Sequence, residues 1–156
     1  MNLQIKLKFL ISTALLLNLA ACSQLGLKEE VKAEPKPDLF ALQKQADAAY
    51  LNDDMVSSER DYKVLIGELP EIALHWYRLA NIYVRTNRPD AAIDLYREAV
   101  LRDPTFTNAW FNMSIVQLKQ TAFSLQEMLL YTEKSDPIYT KAKKLLDGIL
   151  AIINQD

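Results

Sequence analysis

Cysteine and histidine, which often hold metals or act as nucleophile and base, occur once each in this 156-residue chain, as Cys22 and His75. A protein metal site needs several ligands, and a catalytic nucleophile needs a base beside it. Gly26, Gly67 and Gly148 stand far apart, so no glycine-rich loop cradles a phosphate. The sequence therefore predicts no metal site, no cofactor and no catalytic centre. We expect His75 to be a surface or half-buried helix residue.

Cys22 directly follows a segment suited to secretion. Two lysines precede an apolar run at 9–21, which is shorter than the roughly 20 residues that a membrane-spanning helix needs. Its length is that of a signal-peptide core. The run ends in Leu-Ala-Ala-Cys at 19–22, which resembles the lipobox of bacterial lipoproteins. That resemblance implies removal of residues 1–21 and acylation of Cys22, which becomes the first residue of the mature chain.

The same resemblance implies attachment to a membrane through the lipid. Stable anchoring takes more than one acyl chain, and lipoproteins of this kind carry three. Ser23 after the cysteine is similar to the default for outer-membrane lipoproteins of enteric-type bacteria, so we expect the periplasmic face of the outer membrane. Residues 22–38 are rich in Lys, Glu and Pro, which predicts a flexible tether. The folded domain is predicted at 39–153.

The charge of the predicted mature chain is mildly negative. Removal of 1–21 takes away two lysines and no acid, so 16 basic and 20 acidic residues remain, a net charge of −4. This composition has no basic excess that would attract nucleic acid. The oligomeric state stays open.

From Leu39 onward the chain has a helical pattern whose residues recur 34 positions apart. The recurring pairs are Ala46 and Ala80, Tyr62 and Tyr96, Pro70 and Pro104, and Trp76 and Trp110. A period of 34 residues is typical of a solenoid of helix-turn-helix units. The three units are 39–72, 73–106 and 107–140.

The middle unit, 73–106, has the clearest pattern. Its first helix carries Trp76, Leu79, Ala80 and Tyr83 on one face, the turn is Asn87-Arg88-Pro89-Asp90, and Ala92, Tyr96 and Ala99 line one face of its second helix. This set resembles the tetratricopeptide repeat (TPR) family. The resemblance implies an all-α TPR solenoid of about three repeats plus a C-terminal capping helix.

The third unit departs from the repeat in its second half. Gln126 and Glu133 occupy small or apolar positions, and Pro137 comes one residue early, so we expect a second helix that is shorter or shifted by a residue. The last helix, 138–153, is expected to cap the solenoid. An alternative is that its apolar stripe docks a partner; the stripe is Ala142, Leu145, Ile149, Leu150 and Ile153.

TPR arrays stack their first helices around a concave groove, and the resemblance implies which residues line it here. The predicted peptide-binding residues are Tyr77, Asn81, Arg85, Phe111, Asn112 and Lys119, with Gln43, Asp47 and Tyr50 facing the groove from the first unit. Asparagines at matching places in the family bind the main chain of an extended peptide. Tyr77 stands where a charged variety of the family has a lysine, so an aromatic groove is expected rather than a carboxylate clamp. Incidental asparagines remain the alternative.

The sequence favours a binding function over catalysis. The leading hypothesis is a membrane-anchored scaffold that binds an envelope protein or peptide segment during assembly of a pilus or secretion system, since small TPR lipoproteins resemble pilotins and Tad-type accessory proteins. An adaptor for peptidoglycan enzymes or proteases is the alternative within the same class. An envelope enzyme or enzyme subunit is the alternative of another class.

Overall fold

The computed structural model describes residues 38–154, and the signal and tether predictions at 1–37 lie outside them. The regular elements of this range are six α-helices. They are α1 (Leu39–Leu51), α2 (Met55–Glu68), α3 (Ala73–Arg85), α4 (Pro89–Arg102), α5 (Thr107–Tyr131) and α6 (Pro137–Ile153). Within 38–154, no helix has the length and apolar character needed to cross a membrane.

Aspartates and prolines define where several helices begin. Asp38 accepts hydrogen bonds from the backbone amides of Phe40 and Ala41, both at 3.1 Å, ahead of α1. Asp54 and Asp136 accept equivalent bonds before α2 and α6. Such caps satisfy amides that have no partner inside the first turn of a helix. The first residue of α4 and of α6 is a proline, a position where its missing N–H costs nothing.

The helices pack as three consecutive pairs, α1 with α2, α3 with α4, and α5 with α6, and each pair packs on the next. This order confirms the predicted all-α solenoid of TPR type. Ala46, Ala80, Ala92 and Ala99 are completely buried between helices. Their small side chains allow neighbouring helix backbones to approach closely.

The prolines and tryptophans recur because they form the same contact in two units. The Trp76 indole N–H donates to the carbonyl of Pro70 at 2.8 Å. Trp110 donates in the same way to Pro104 at 3.1 Å. Each bond fastens a first helix to the loop that precedes it. Trp76 is half-buried, and the Arg102 guanidinium lies 4.1 Å from the centre of its ring.

The turns within the first two pairs share a backbone conformation. Asp53 has a φ of 62° and Asn87 a φ of 58°, and the two residues are 34 positions apart. This left-handed region is unfavourable for most side chains, but Asp and Asn tolerate it. A short polar residue at this place therefore lets the chain reverse between the two helices of a pair.

The third unit lacks this turn, and the expectation of a short or shifted second helix there is wrong. Thr121 occupies the turn position, and its branched side chain disfavours a positive φ. Its hydroxyl instead donates to the carbonyl of Gln117, and α5 continues for 25 residues to Tyr131. The C-terminal helix α6 is therefore the second helix of the third pair.

The packed face of α6 differs from the predicted stripe because Leu146, and not Leu145, is buried. Ala142, Leu146 and Ile149 are buried, and Leu146 and Ile149 form a cluster with Ala122 of α5. Leu145 was expected in the stripe but is 54% exposed. The buried residues follow one helix face at intervals of four and three, and Leu145 lies about 100° away from Leu146 around the helix axis.

Candidate binding groove

The first helices of the three pairs border an open cavity of about 370 Å³, called the groove below. All six residues predicted from the sequence line it. They are Tyr77, Asn81 and Arg85 of α3, and Phe111, Asn112 and Lys119 of α5. Tyr50, Val84, Tyr96, Ile115 and Val116 complete the lining.

Helix periodicity explains why these side chains meet. Tyr77, Asn81 and Arg85 are spaced by four residues, so they share one face of α3. Ile115 and Lys119 continue the same face of α5 one and two turns beyond Phe111. The two faces oppose each other because α4, which lies between these helices in sequence, packs against both of them.

An amide network lies between α3 and α5. The Asn112 side-chain N–H donates to the Oδ1 of Asn81 at 3.1 Å and to the Tyr77 hydroxyl at 3.2 Å. Within 38–154, the Nδ2 of Asn81 and the Oδ1 of Asn112 form no further hydrogen bond. The asparagine pair therefore keeps one donor and one acceptor, which is the combination that a peptide main chain requires.

Asn81 also has a structural role that the sequence reasoning missed. The buried Tyr96 hydroxyl donates to the Oδ1 of Asn81 at 2.6 Å. In the preceding unit, the Tyr62 hydroxyl donates to Asp47 at 2.5 Å. Asp47 and Asn81 are 34 positions apart, as are the two tyrosines, so the repeat itself held the signal for this pairing. Asn81 therefore holds α4 to α3 in addition to lining the groove.

The aromatic residues of the groove differ in how firmly they are held. The Tyr77 ring packs on Phe106 at a centroid distance of 4.7 Å and on Tyr96 at 5.9 Å. Phe111 is 58% exposed. Tyr77 thus forms a fixed wall, whereas Phe111 presents apolar surface to solvent. Exposed aromatic surface of this kind is typical of residues that anchor a partner.

The two cations of the groove have different surroundings. Arg85 forms an ion pair with Asp53 and lies 5.1 Å from the centre of the Tyr50 ring. Lys119 is exposed and forms no ion pair with any residue of 38–154. Lys119 is therefore the cation of the groove that remains available to a ligand carboxylate.

Of the three groove residues expected from the first unit, Tyr50 lines the cavity. Gln43 instead lies with its Oε1 at 3.3 Å from the Nε2 of His75. The expectation of a surface or half-buried His75 is wrong, since only 1% of it is exposed. Its ring packs 6.2 Å from that of Tyr62, and burial lowers the pKa of the imidazole.

Comparison with known proteins supports the repeat architecture. A family profile described as tetratricopeptide repeat matches residues 75–116, which run from α3 through α4 into α5. No curated protein matches the chain.

A solved complex of the TPR2B domain of yeast Sti1 with pHsp70 has a similar fold. The TM-score is 0.52 at 15% identity, and the similarity covers 75% of this chain and 83% of that one. At this identity the likeness concerns the fold alone. Together with the profile match at 75–116, it shows that the described region has a TPR-like helical-repeat fold.

Proposed function

We propose that the protein binds a segment of another protein in the groove and acts as an interaction scaffold without catalysing a reaction. The observation that carries this proposal is the convergence of all six predicted residues on one open cavity. There, exposed aromatic surface lies beside an amide pair with one donor and one acceptor to spare. The TPR2B domain of yeast Sti1 was solved as a complex with pHsp70, which supports the idea that such a fold holds a protein ligand.

The proposal is tested by Phe111→Ala, because that side chain is exposed and its loss does not disturb the core. We expect the amount of partner protein that copurifies with the tagged full-length chain to fall by about tenfold or more, as for other aromatic anchors. Phe40→Ala is the matched control, since Phe40 is 74% exposed on α1 and lies outside the groove. Equal recovery of the copurifying protein with both variants would contradict the proposal.

Asn81 is not used in this test, although it lines the groove. Asn81→Ala would remove the acceptor of the buried Tyr96 hydroxyl, and an unsatisfied buried hydroxyl costs about 1–3 kcal/mol of stability. A loss of binding by that variant could therefore come either from lower stability or from a lost contact with the ligand. Phe111 separates the two.

We further propose that Cys22 is acylated and holds the scaffold at the periplasmic face of the outer membrane. There the scaffold would serve the assembly of an envelope machine such as a pilus or secretion system. The lipobox-like residues 19–22 and the apolar run before them support this proposal. The tether at 22–38 would let the domain reach a partner away from the lipid surface.

Acylation is tested by labelling cells with a palmitate analogue. The wild-type chain should take up label, and Cys22→Ala should take up none and stay as a precursor that retains residues 1–21. Lys28→Ala, in the expected tether, is the control and should be labelled normally. Labelling of Cys22→Ala at the wild-type level is incompatible with the proposed anchor.

A further inference from the structure

A second open cavity, the side pocket, adjoins the groove and has a volume of about 750 Å³. It lies between the α3–α4 turn and the middle of α5. Val84, Val116 and Lys119 line both cavities, so the side pocket continues the groove toward the far end of α5. Both volumes fall within the roughly 300–1,000 Å³ that is usual for ligand sites.

The side pocket depends on the missing turn in α5. Phe123 and Ser124 line it, and they lie just past Thr121, where the first two units reverse direction. Because α5 continues as a helix, Phe123 stands one turn beyond Lys119 on the same side of α5. The long helix thus adds an aromatic wall to the end of the groove.

The lining of the side pocket defines what chemistry it accepts. Phe123 is 63% exposed and Val84 is 37% exposed. Apolar surface there faces solvent, and its burial against a ligand is favourable. The Asp90 carboxylate already accepts a hydrogen bond from the Gln120 amide at 2.6 Å. Lys119 pairs with no carboxylate of 38–154. The pocket thus combines an apolar wall with a cation at its border to the groove.

We infer that the side pocket receives a large apolar side chain of the protein segment bound in the groove, and that Lys119 pairs with a carboxylate next to that side chain. The inference rests on the proposed function, since the same segment occupies both cavities. The charge of Lys119 and the continuity of the two cavities argue for a segment that carries an apolar and an acidic residue together. Shape alone would not require the acidic residue.

The probe is a random dodecapeptide library displayed on phage and selected on the full chain. The enriched peptides should share a large apolar residue within about two positions of Asp or Glu. A synthetic copy of an enriched peptide should bind Phe123→Ala at least tenfold more weakly than wild type. Lys119→Ser should weaken binding of that peptide but leave binding of its Asn or Gln analogue unchanged.

Controls separate this inference from the proposed function. Phe40→Ala should bind the peptide as wild type does, and unchanged helical circular dichroism should show that every variant is folded. If Phe111→Ala weakens binding and Phe123→Ala does not, the peptide binds in the groove but its apolar side chain does not enter the side pocket, and the inference is overturned. If neither weakens it, or if no peptide is enriched on the wild-type chain, both proposals are overturned.

Discussion

At the scale of single residues, the buried hydroxyls of Ser58, Tyr62 and Tyr96 are satisfied by partners from neighbouring helices. Burial raises the pKa of Tyr62 and of Tyr96 above its ordinary value, so both phenols stay protonated and donate. Ser58, which occupies the place of Ala92 in the next unit, donates its hydroxyl to the carbonyl of Ala46 at 3.1 Å. Such pairs are hard to foresee from local sequence, because each joins residues 12 to 15 positions apart.

His75 shows why burial of a single polar residue was not predicted. Its neighbours in sequence include the half-buried Trp76, and nothing local distinguishes a buried imidazole from an exposed one. The structure turns it toward Tyr62 and Gln43 at the junction of the first three helices. Within 38–154 its Nδ1 has no hydrogen-bond partner, so protonation there is unfavourable.

The lowered pKa of His75 predicts a loss of stability in mild acid. Burial is the main cause, and it outweighs the opposite effects of Asp47, the Leu69 backbone and Glu71. Below the ordinary pKa of 6.5 the unfolded chain binds a proton that the folded chain resists, so stability falls as the pH drops. The pKa of Glu59 is lowered to about 2, chiefly by its hydrogen bond to Arg88. The stability that ionised Glu59 contributes is therefore lost only below about pH 4.5.

The measurement is the melting temperature at about pH 7.5 and about pH 5.5, a window above the one in which Glu59 titrates. The wild-type melting temperature should fall between the two, and that of His75→Gln should change much less. An equal fall in melting temperature for the wild type and for His75→Gln would show that His75 is not the titrating group.

At the scale of helices, the sequence predicted the first two repeat units well but not the continuous helix α5 of the third unit. Pro89 of the predicted turn is the first residue of α4, and the recurring Pro104 follows the end of that helix. The 34-residue spacing of the tryptophans also placed the first helices α3 and α5 correctly, and that of the tyrosines placed the second helices α2 and α4. The missing third turn was signalled by Thr121, which replaces Asp53 and Asn87 of the earlier units. Repeat matching weighs apolar positions, and it therefore overlooked a single turn residue.

The continuity of α5 predicts how Thr121→Pro behaves. Thr121 lies inside the helix, so proline would remove a backbone hydrogen bond and clash with the preceding turn, at a cost of about 3 kcal/mol or more. Ala122, directly after it, packs against α6, so the third pair should loosen. Thr121→Ala is the control and should be neutral or slightly stabilising.

Chemical denaturation of the two variants measures the difference in their free energies of unfolding. Inside a continuous helix, Thr121→Pro must be less stable than Thr121→Ala by about 3 kcal/mol or more. Equal stability of Thr121→Pro and Thr121→Ala would therefore contradict the continuous helix.

At the scale of the whole molecule, the resemblance to TPR arrays implied a groove along the first helices, and helical periodicity then indicated which side chains share the face that lines it. Spacing did not reveal that Asn81 also holds Tyr96, nor that Lys119 borders two cavities rather than one. Those facts depend on how α3 and α5 are packed by α4. The proposed anchor at Cys22 would then decide where this surface is displayed in the cell.

The central claim is that a protein segment lies in the groove between α3 and α5. Its most direct test is a photo-crosslinking amino acid in place of Phe111 in the full-length protein, irradiated in living cells. We expect one discrete crosslinked protein from position 111 and none from position 40, which is exposed but outside the groove. No adduct at 111, or the same adducts from both positions, would contradict it.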